Sequence, residues 1–418
     1  MITKVKQSLL SHIHNVLSNS SFSKMSKPRK FFIAHTFWLF ASINGSAMLT
    51  NQGRINFLQM GRFDKFCEQY FRIGFQKTFD FLSFNSILLE KHLSTILAIA
   101  LDPSYIDKSG KATYGSGRFW SGCAGKTKWG LELCGFAVVD VLHSVAYHLK
   151  AYQSPSPDEL KKQDDDLLSW YGSLVVKHAK EWRSFSKYLL ADAYFSKKPF
   201  LDQVLQAEMH LISRLRDDAD LKYLYQGEQK KGKGRPKLYA GKVDVKAPDM
   251  QYFTLEETSD EYQLFSALVY CKAFKRTVRL ALVVFYKNGK ETMRKIYFSS
   301  DVDMTASDVI RYYRSRFQIE FLYRDAKQHT GLCHCQGRSK EKLDFHRNAA
   351  LTTVNLAKLH YRMDEKLSKE NFSMANRKTL YNNVLLLERF FGVFGINPNS
   401  AFNQRKIKEL LYFGMIAA

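Results

Sequence analysis

Four polar side chains on one predicted helix have the types and the spacing of a reactive site. They are Tyr313, Arg316, Glu320 and Lys327, at offsets of 0, 3, 7 and 14. At roughly 100° per residue these offsets fall within a narrow stripe on one helix face. The stripe offers a carboxylate, two positive charges and a phenolic donor. The alternative is a solvated face on which Arg316 and Glu320 form an ordinary i,i+4 pair.

Apolar residues next to the stripe favour a cleft over a solvated face. Ile310, Phe317 and Phe321 fall at angles directly beside the charged row. We therefore predict that these three side chains belong to the buried face and that the charged row runs along its margin. A cleft would lie at that margin.

Two further carboxylates follow short apolar segments elsewhere in the chain. Asp102 comes after the predicted strand Ile96–Leu101, and Asp192 ends the predicted strand Tyr188–Ala191. Side chains at the ends of such strands leave the core, which is where sites form in α/β sheets. The sequence thus predicts that Asp102 and Asp192 face a shared cleft.

Three other aspartates are weaker candidates for the same site. Asp107 precedes Lys108-Ser-Gly110, which favours a turn; Asp140 ends a predicted strand and could face the site. Asp325 is on the helix of Glu320 but falls far from the stripe.

The elements that position these residues alternate between strands and helices. Strands are predicted at 96–101, 131–141, 145–152 and 188–191, with one helix over 156–182. Thr305 and Asp308 form a capping box that opens a helix continuing past Lys327. Residues 1 to about 93 have a helical, basic pattern that fits a DNA-binding unit and a helical cap equally.

A β-rich segment separates Asp192 from Glu320. It alternates in strand fashion over 243–300, and Asn288-Gly289 predicts a two-residue hairpin turn. A basic stretch with Lys233 and Arg235 precedes it. Its Arg235-Pro pair resembles a minor-groove hook, and a flexible loop touching phosphates explains it equally.

Charge and composition indicate a polyanionic partner. The 418 residues include 63 Lys plus Arg against 40 Asp plus Glu, a formal charge of +23. The apolar segment 31–49 is interrupted too often for a membrane span, so nucleic acid is favoured over a membrane. Six cysteines without a regular framework predict a reducing cytoplasm, and Cys333 and Cys335 lack the second pair that a zinc site usually draws on.

The motifs together resemble a known group of enzymes. The spacing Tyr-x2-Arg-x3-Glu-x6-Lys, intact as Tyr313 to Lys327, is similar to the signature of bacterial insertion-sequence transposases of the DDE type. The strand into Asp102 and the segment Leu189-Leu-Ala-Asp192-Ala-Tyr-Phe also resemble that family. The resemblance covers about residues 96 to 360.

The resemblance implies an α/β fold: a ribonuclease H-like mixed sheet with flanking helices and a β-rich insertion. The helical pattern of the first residues adds an N-terminal domain. The corresponding ranges are 1–94 (N-terminal, DNA-binding), 95–221 (first part of the core), 222–301 (insertion), 302–362 (second part) and 363–418 (helical C-terminal region). The resemblance also implies nucleoid-associated action on double-stranded DNA, both element ends and target, by a dimer.

The resemblance assigns a role to each candidate residue. Asp102, Asp192 and Glu320 would bind two Mg²⁺ ions, with Mn²⁺ as the alternative, while Tyr313, Arg316 and Lys327 would hold DNA phosphates. Converging carboxylates need such cations, and a metal pair suits in-line displacement at phosphorus. Water would first free a 3′-OH, which would then attack target DNA.

Two other functions on the same fold compete with the transposase hypothesis. A structure-selective nuclease would cut without joining, and a catalytically inactive regulator would only bind element ends. Relatives often stack a flipped base on a tryptophan in the insertion, but this insertion has none. Tyr252, Phe253 and Tyr286 are the alternatives for that role, although a position in the strand core explains them better, so base flipping stays an open question.

Overall fold

The structure is a computed structural model. It describes residues 55–63, 67–229, 235–363 and 371–416, together with Ser11, Ile13, Asn15 and Val16. Most of the predicted N-terminal DNA-binding unit, including the apolar segment 31–49, and the candidate Lys233 lie outside the described residues. In the described part, no helix is long and apolar enough to cross a membrane.

Twelve strands within the described residues form one sheet. They are β1 (Leu97–Asp107), β2 (Gly117–Ser121), β3 (Lys126–Asp140), β4 (Val145–Gln153), β5 (Tyr188–Leu190), β6 (His210–Arg214), β7 (Leu221–Leu224), β8 (Tyr239–Lys242), β9 (Thr254–Thr258), β10 (Tyr262–Cys271), β11 (Arg276–Lys287) and β12 (Lys290–Ser299). The order across the sheet is β2-β3-β1-β5-β6-β12-β11-β10-β7-β8, with β4 beside β3 and β9 beside β10.

Most neighbouring strands run antiparallel, and the parallel pairs lie at the centre. β5 is parallel to β1 on one side and to β6 on the other. β12 then pairs antiparallel with β6, so the strands of the β-rich segment continue the sheet that holds Asp102. The protein is therefore a mixed α/β structure with a mostly antiparallel sheet. The proposed domain boundaries stay a prediction.

Helices cover both faces of the sheet. They are α1 (Phe57–Phe63), α2 (Glu68–Gly74), α3 (Phe81–Leu89), α4 (Pro157–Lys162), α5 (Leu167–Lys177), α6 (Ala179–Arg183), α7 (Lys198–Gln206), α8 (Ala306–Ser315), α9 (Gln318–His329), α10 (Lys340–Met363), α11 (Met374–Phe394) and α12 (Ala401–Leu411). One apolar core lies between the sheet and α3, α5 and α7, and the other lies under α8 and α9.

The predicted helix over 156–182 is wrong as a single element, because local capping divides it. Ser156 and Glu159 form a capping box at α4, as Pro157 indicated. Asp164 then adopts a left-handed conformation (φ 52°), and Asp166 caps α5 by accepting from Leu168 N and Ser169 N. An N-cap aspartate favours a new helix start over continuation of the old one.

The predicted hairpin at Asn288-Gly289 is confirmed. Lys287 pairs with Lys290, and the two loop residues have φ of 52° and 72°. Positive φ at both loop positions is the type I′ geometry that an Asn-Gly pair adopts at low cost. Strands β2, β6, β7 and β8 were not predicted, since each has only four or five residues.

Candidate active site

Asp102 lies in the middle of β1, not at the end of a strand. The strand continues to Asp107 because β3 pairs with it without interruption, Asp102 lying opposite Gly135. The expectation that Asp102 terminates its strand was therefore wrong. Its side chain is on the sheet face covered by α8 and α9, where it is 18% exposed. Asp102 therefore projects into the site from the middle of the sheet, not from its edge.

Asp192 lies just beyond the neighbouring strand. β5 pairs in parallel with β1, Leu190 opposite Ala100, so a strand extended by two residues would bring Asp192 level with Asp102. The chain instead turns at Asp192, whose Oδ1 accepts a hydrogen bond from Tyr194 N at 3.0 Å. Ser213 Oγ donates to the Asp192 carbonyl at 2.8 Å and ties the turn to β6.

Glu320 comes from the first turn of α9 and is linked to Asp102 by Arg316. Arg316 Nη2 donates to Glu320 Oε1 at 2.8 Å, and its Nη1 lies 3.4 Å from Asp102 Oδ1. Arg316 is only 5% exposed, and its Nε has no hydrogen-bond partner among the described residues. Arg316 thus acts as the internal counter-ion of two carboxylates.

The electrostatics of this cluster favour a bound cation. Burial raises the pKa of Asp102 to about 7, the positive charge of Arg316 opposes that rise, and the negative charges of Glu320 and Asp192 add to it. Burial also raises the pKa of Asp192. The charge of Arg316 therefore does not offset the cost of burying these carboxylates close to one another.

The rest of the stripe lies around the same cluster. Lys327 Nζ donates to Ser104 Oγ at 2.8 Å and to the Tyr105 carbonyl at 3.1 Å, next to Asp102 on β1. The ring of Tyr313 is half-buried and packs 4.8 Å from that of Tyr297 on β12. The structure brings Tyr313, Arg316 and Lys327 to the side of the helix that borders the sheet.

Residues 170–356, a little under half of the chain, match the family model described as the transposase DDE domain. No curated protein matches the chain. This part of the chain is a transposase DDE domain. The matched range contains Asp192, Glu320 and the whole stripe, while Asp102 precedes it.

Two aromatic residues that were predicted to lie on the buried face of the helix lie on its exposed face instead. Phe317 and Phe321 are 50% and 41% exposed, whereas Ile319, Leu322 and Tyr323 are buried. The predicted single helix is in fact interrupted between α8 and α9, where Arg316 N bonds the Tyr313 carbonyl three residues back. The row formed by Tyr313, Arg316, Glu320 and Lys327 still lies along an edge of the buried face, but along the edge opposite to the one predicted.

The alternative aspartates have other surroundings. Asp107 is the last residue of β1, and its Oδ1 accepts a hydrogen bond from the Tyr105 hydroxyl at 3.1 Å. Asp140 pairs in register with Leu97 at the far end of β1, where it accepts from Ser94 and His143. Asp325 is buried against Arg324, away from the stripe.

Two positioning residues of the site were missed by sequence reasoning. Tyr323 OH donates to the Asp102 carbonyl at 2.8 Å, and the Gly135 backbone bonds the same hydroxyl. A Cβ on Gly135 would overlap that hydroxyl and lie 3.0 Å from Tyr323 Cζ. Tyr323 thus holds α9 against β1 three residues after Glu320. A glycine in a strand often marks such a close approach, and that was the available signal.

The remaining sequence candidates lie outside this cluster. Arg235 is exposed on the segment before β8. Cys333 is exposed and Cys335 buried, both as free thiols. Among the described residues, no group of three or more His, Cys, Asp or Glu side chains is already close enough to hold a metal ion.

Proposed function

We propose that the protein is a DNA transposase that cleaves insertion-sequence ends and joins them to target DNA, with Asp102, Asp192 and Glu320 as its catalytic carboxylates. The observation that carries the proposal is the buried Arg316 shared by Asp102 and Glu320, with Asp192 just beyond the adjacent parallel strand. The match to the transposase DDE domain, which covers Asp192 and Glu320, also supports the proposal. The core that carries them is proposed to be ribonuclease H-like.

The chemistry of the donor set fits divalent metal ions. Carboxylate oxygens are preferred by Mg²⁺ and Mn²⁺. Burial is the main reason that the pKa of Asp102 and of Asp192 is raised, and a bound cation would stabilise the charged form of both carboxylates. Asp102, Asp192 and Glu320 would hold two ions, which would supply Lewis-acid stabilisation for displacement at phosphorus.

The protein's own groups would orient the DNA for that displacement. Lys327 is fixed by β1 beside Asp102, where its charge can contact a phosphate. Arg316 bridges Asp102 and Glu320, and Tyr313 precedes it by three residues; both would contact a phosphate held beside these carboxylates. Water would free a 3′-OH in the first step, and that hydroxyl would attack target DNA in the second.

Replacing each carboxylate by its amide tests the catalytic assignment. Asp102→Asn, Asp192→Asn and Glu320→Gln should each abolish cleavage of DNA flanking the gene, because each loses a metal ligand at nearly constant size. Folding and metal-free DNA binding should persist, and Asp325→Asn should remain active. Substantial cleavage by any triad variant would remove that residue from the site. Cleavage without joining by wild type would indicate a nuclease, and binding without cleavage a regulator.

Arg316→Ala and Lys327→Ala test the phosphate contacts. Loss of a charge-assisted contact should lower cleavage or joining roughly tenfold to hundredfold, since such contacts are worth about 1.5 to 3 kcal/mol. The matched control is Lys340→Ala, whose ammonium lies 5.6 Å from the exposed Tyr114 ring. Wild-type strand transfer by both variants would show that neither residue contacts the reacting DNA.

A further inference from the structure

The hairpin of β2 and β3 projects beyond the strand that carries Asp102. β1 ends at Asp107, opposite Gly130, and from there Gly117–Ser121 pairs with Lys126–Gly130 as a two-stranded ribbon. Phe119 is 2% exposed and anchors one side of the ribbon in the protein.

The other side of the ribbon presents two tryptophans to solvent. Trp120 is 60% exposed and Trp129 is 38% exposed. Trp120 pairs with Thr127, and Trp129 pairs with Arg118. Because cross-strand partners share a face, both indoles and the Arg118 guanidinium project from the same side. Single exposed apolar residues are ordinary, but two indoles on one narrow face form a binding surface.

This surface is on the same side of the sheet as the carboxylates. Asp102 pairs with Gly135, and side chains at alternate positions of β3 share that face down to Trp129. At about 3.3 Å per residue, Trp129 and Trp120 lie about 20 Å and about 26 Å from Asp102 along the strands. Leu131 and Leu133 lie in between on the same face of β3 and are buried, so the ribbon is a separate contact on the catalytic side.

The charge around the tryptophans selects a polyanion over a second copy of the chain. Arg118 shares the face of the two tryptophans, and Lys126 and Lys128 lie on the opposite face of the same ribbon, where Lys128 is 3.9 Å from Asp107. Lys108 and Lys111 precede the ribbon, and residues 108–130 contain no acidic side chain. Two such ribbons would repel each other, whereas DNA would be attracted. Aromatic side chains within a basic surface are the usual means of binding bases that are not paired.

We propose that Trp120 and Trp129 stack on unpaired bases of the DNA that enters the carboxylate site, with Arg118 contacting its backbone. This inference takes the identity of the DNA from the proposed function, but it does not require that the protein cleaves that DNA. Stacking on a base is sequence-tolerant, since every base has an aromatic face. The ribbon would therefore hold an opened strand at a distance from the cut without reading its sequence.

Binding of labelled DNA without metal tests the proposal independently of catalysis. Trp120→Ala and Trp129→Ala should each weaken binding of oligothymidine by about tenfold, and binding of a blunt duplex of equal length much less. Trp120→Phe should restore most of the affinity, because it keeps an aromatic face. The control is Leu142→Ala, which removes an apolar side chain of 62% exposure beyond the other end of β3.

Three results would overturn the proposal. The first is unchanged binding of oligothymidine by both alanine variants. The second is an equal loss of affinity for duplex and for single-stranded DNA. The third is a change in the oligomeric state of the variants without a change in their affinity for DNA. Unaltered melting temperatures would show that the variants fold. If the wild-type protein does not cleave DNA, but its DNA binding still depends on the two tryptophans, the proposed function is contradicted and this inference stands.

Discussion

Tyr323 and Gly135 show how individual residues set the geometry of the site. The Tyr323 hydroxyl occupies the space that any side chain at position 135 would need, and it bonds the backbone of Asp102. The distance between the helix of Glu320 and the strand of Asp102 is thereby fixed by one hydroxyl. A carboxylate cluster needs such support because small displacements of a ligand or reacting group are costly in rate.

This contact predicts non-additive effects of two substitutions. Gly135→Ala should impair cleavage strongly, since its methyl group displaces Tyr323 and with it α9. Tyr323→Phe should cost about 1 to 3 kcal/mol of stability through lost buried hydrogen bonds. The double variant should be more active than Gly135→Ala alone, because the overlapping oxygen is gone. Cleavage rates and urea unfolding of all three variants check this, and additive losses would contradict the proposed contact.

At the scale of elements, α10 completes the sheet at the open edge of β4. Asn348 bonds Ala151 N and O, Asn355 bonds His148 N and O, and Lys358 Nζ donates to the Ala146 carbonyl. These side chains stand in for a missing strand. An exposed edge would otherwise offer unpaired backbone groups to other chains. His148 is itself buried, and its Nε2 lies 3.0 Å from Asn348 Oδ1.

The buried His148 predicts a loss of stability in acid. Burial lowers the pKa of His148 to about 3, against an ordinary value of 6.5, so between these values the unfolded chain binds a proton that the folded chain does not. Stability should therefore fall as pH drops below about 6.5, by up to about 1.4 kcal/mol per pH unit. Unfolding curves of wild type and His148→Gln should converge towards acid pH. Parallel curves would show that His148 does not titrate in this way.

At the scale of the whole molecule, the net charge of +23 makes DNA binding dependent on salt. Arg235 and Lys237 are exposed on the segment before β8. If both contact phosphates, Arg235→Ala combined with Lys237→Ala should reduce the slope of log affinity against log salt by about 1.8 on duplex DNA. The control is Lys180→Ala on α6, across the sheet from the carboxylates. An unchanged slope in the double variant would mean that this segment does not touch DNA.

Turns, helix starts and contacts within one helix could be predicted from the sequence, because residues close together in the chain determine them. Asn288-Gly289 specified its turn because few residues accept positive φ twice in succession. Thr305 specified a helix start because its hydroxyl accepts from Asp308 N within the same turn. The spacing of Arg316 and Glu320 also ensured their contact, since residues four apart are neighbours on any helix.

Other features were decided only by segments that meet from far along the chain. β1 runs five residues past Asp102 because β3 supplies partners that the apolar run 96–101 does not reveal. Phe317 and Phe321 are exposed because the interruption between α8 and α9, together with the position of the sheet, selects which helix face is buried. A periodicity fixes which residues share a face, but not which face meets the core. Only the packing of α9 on β1 makes Tyr323 and Gly135 neighbours, across nearly 190 residues of chain.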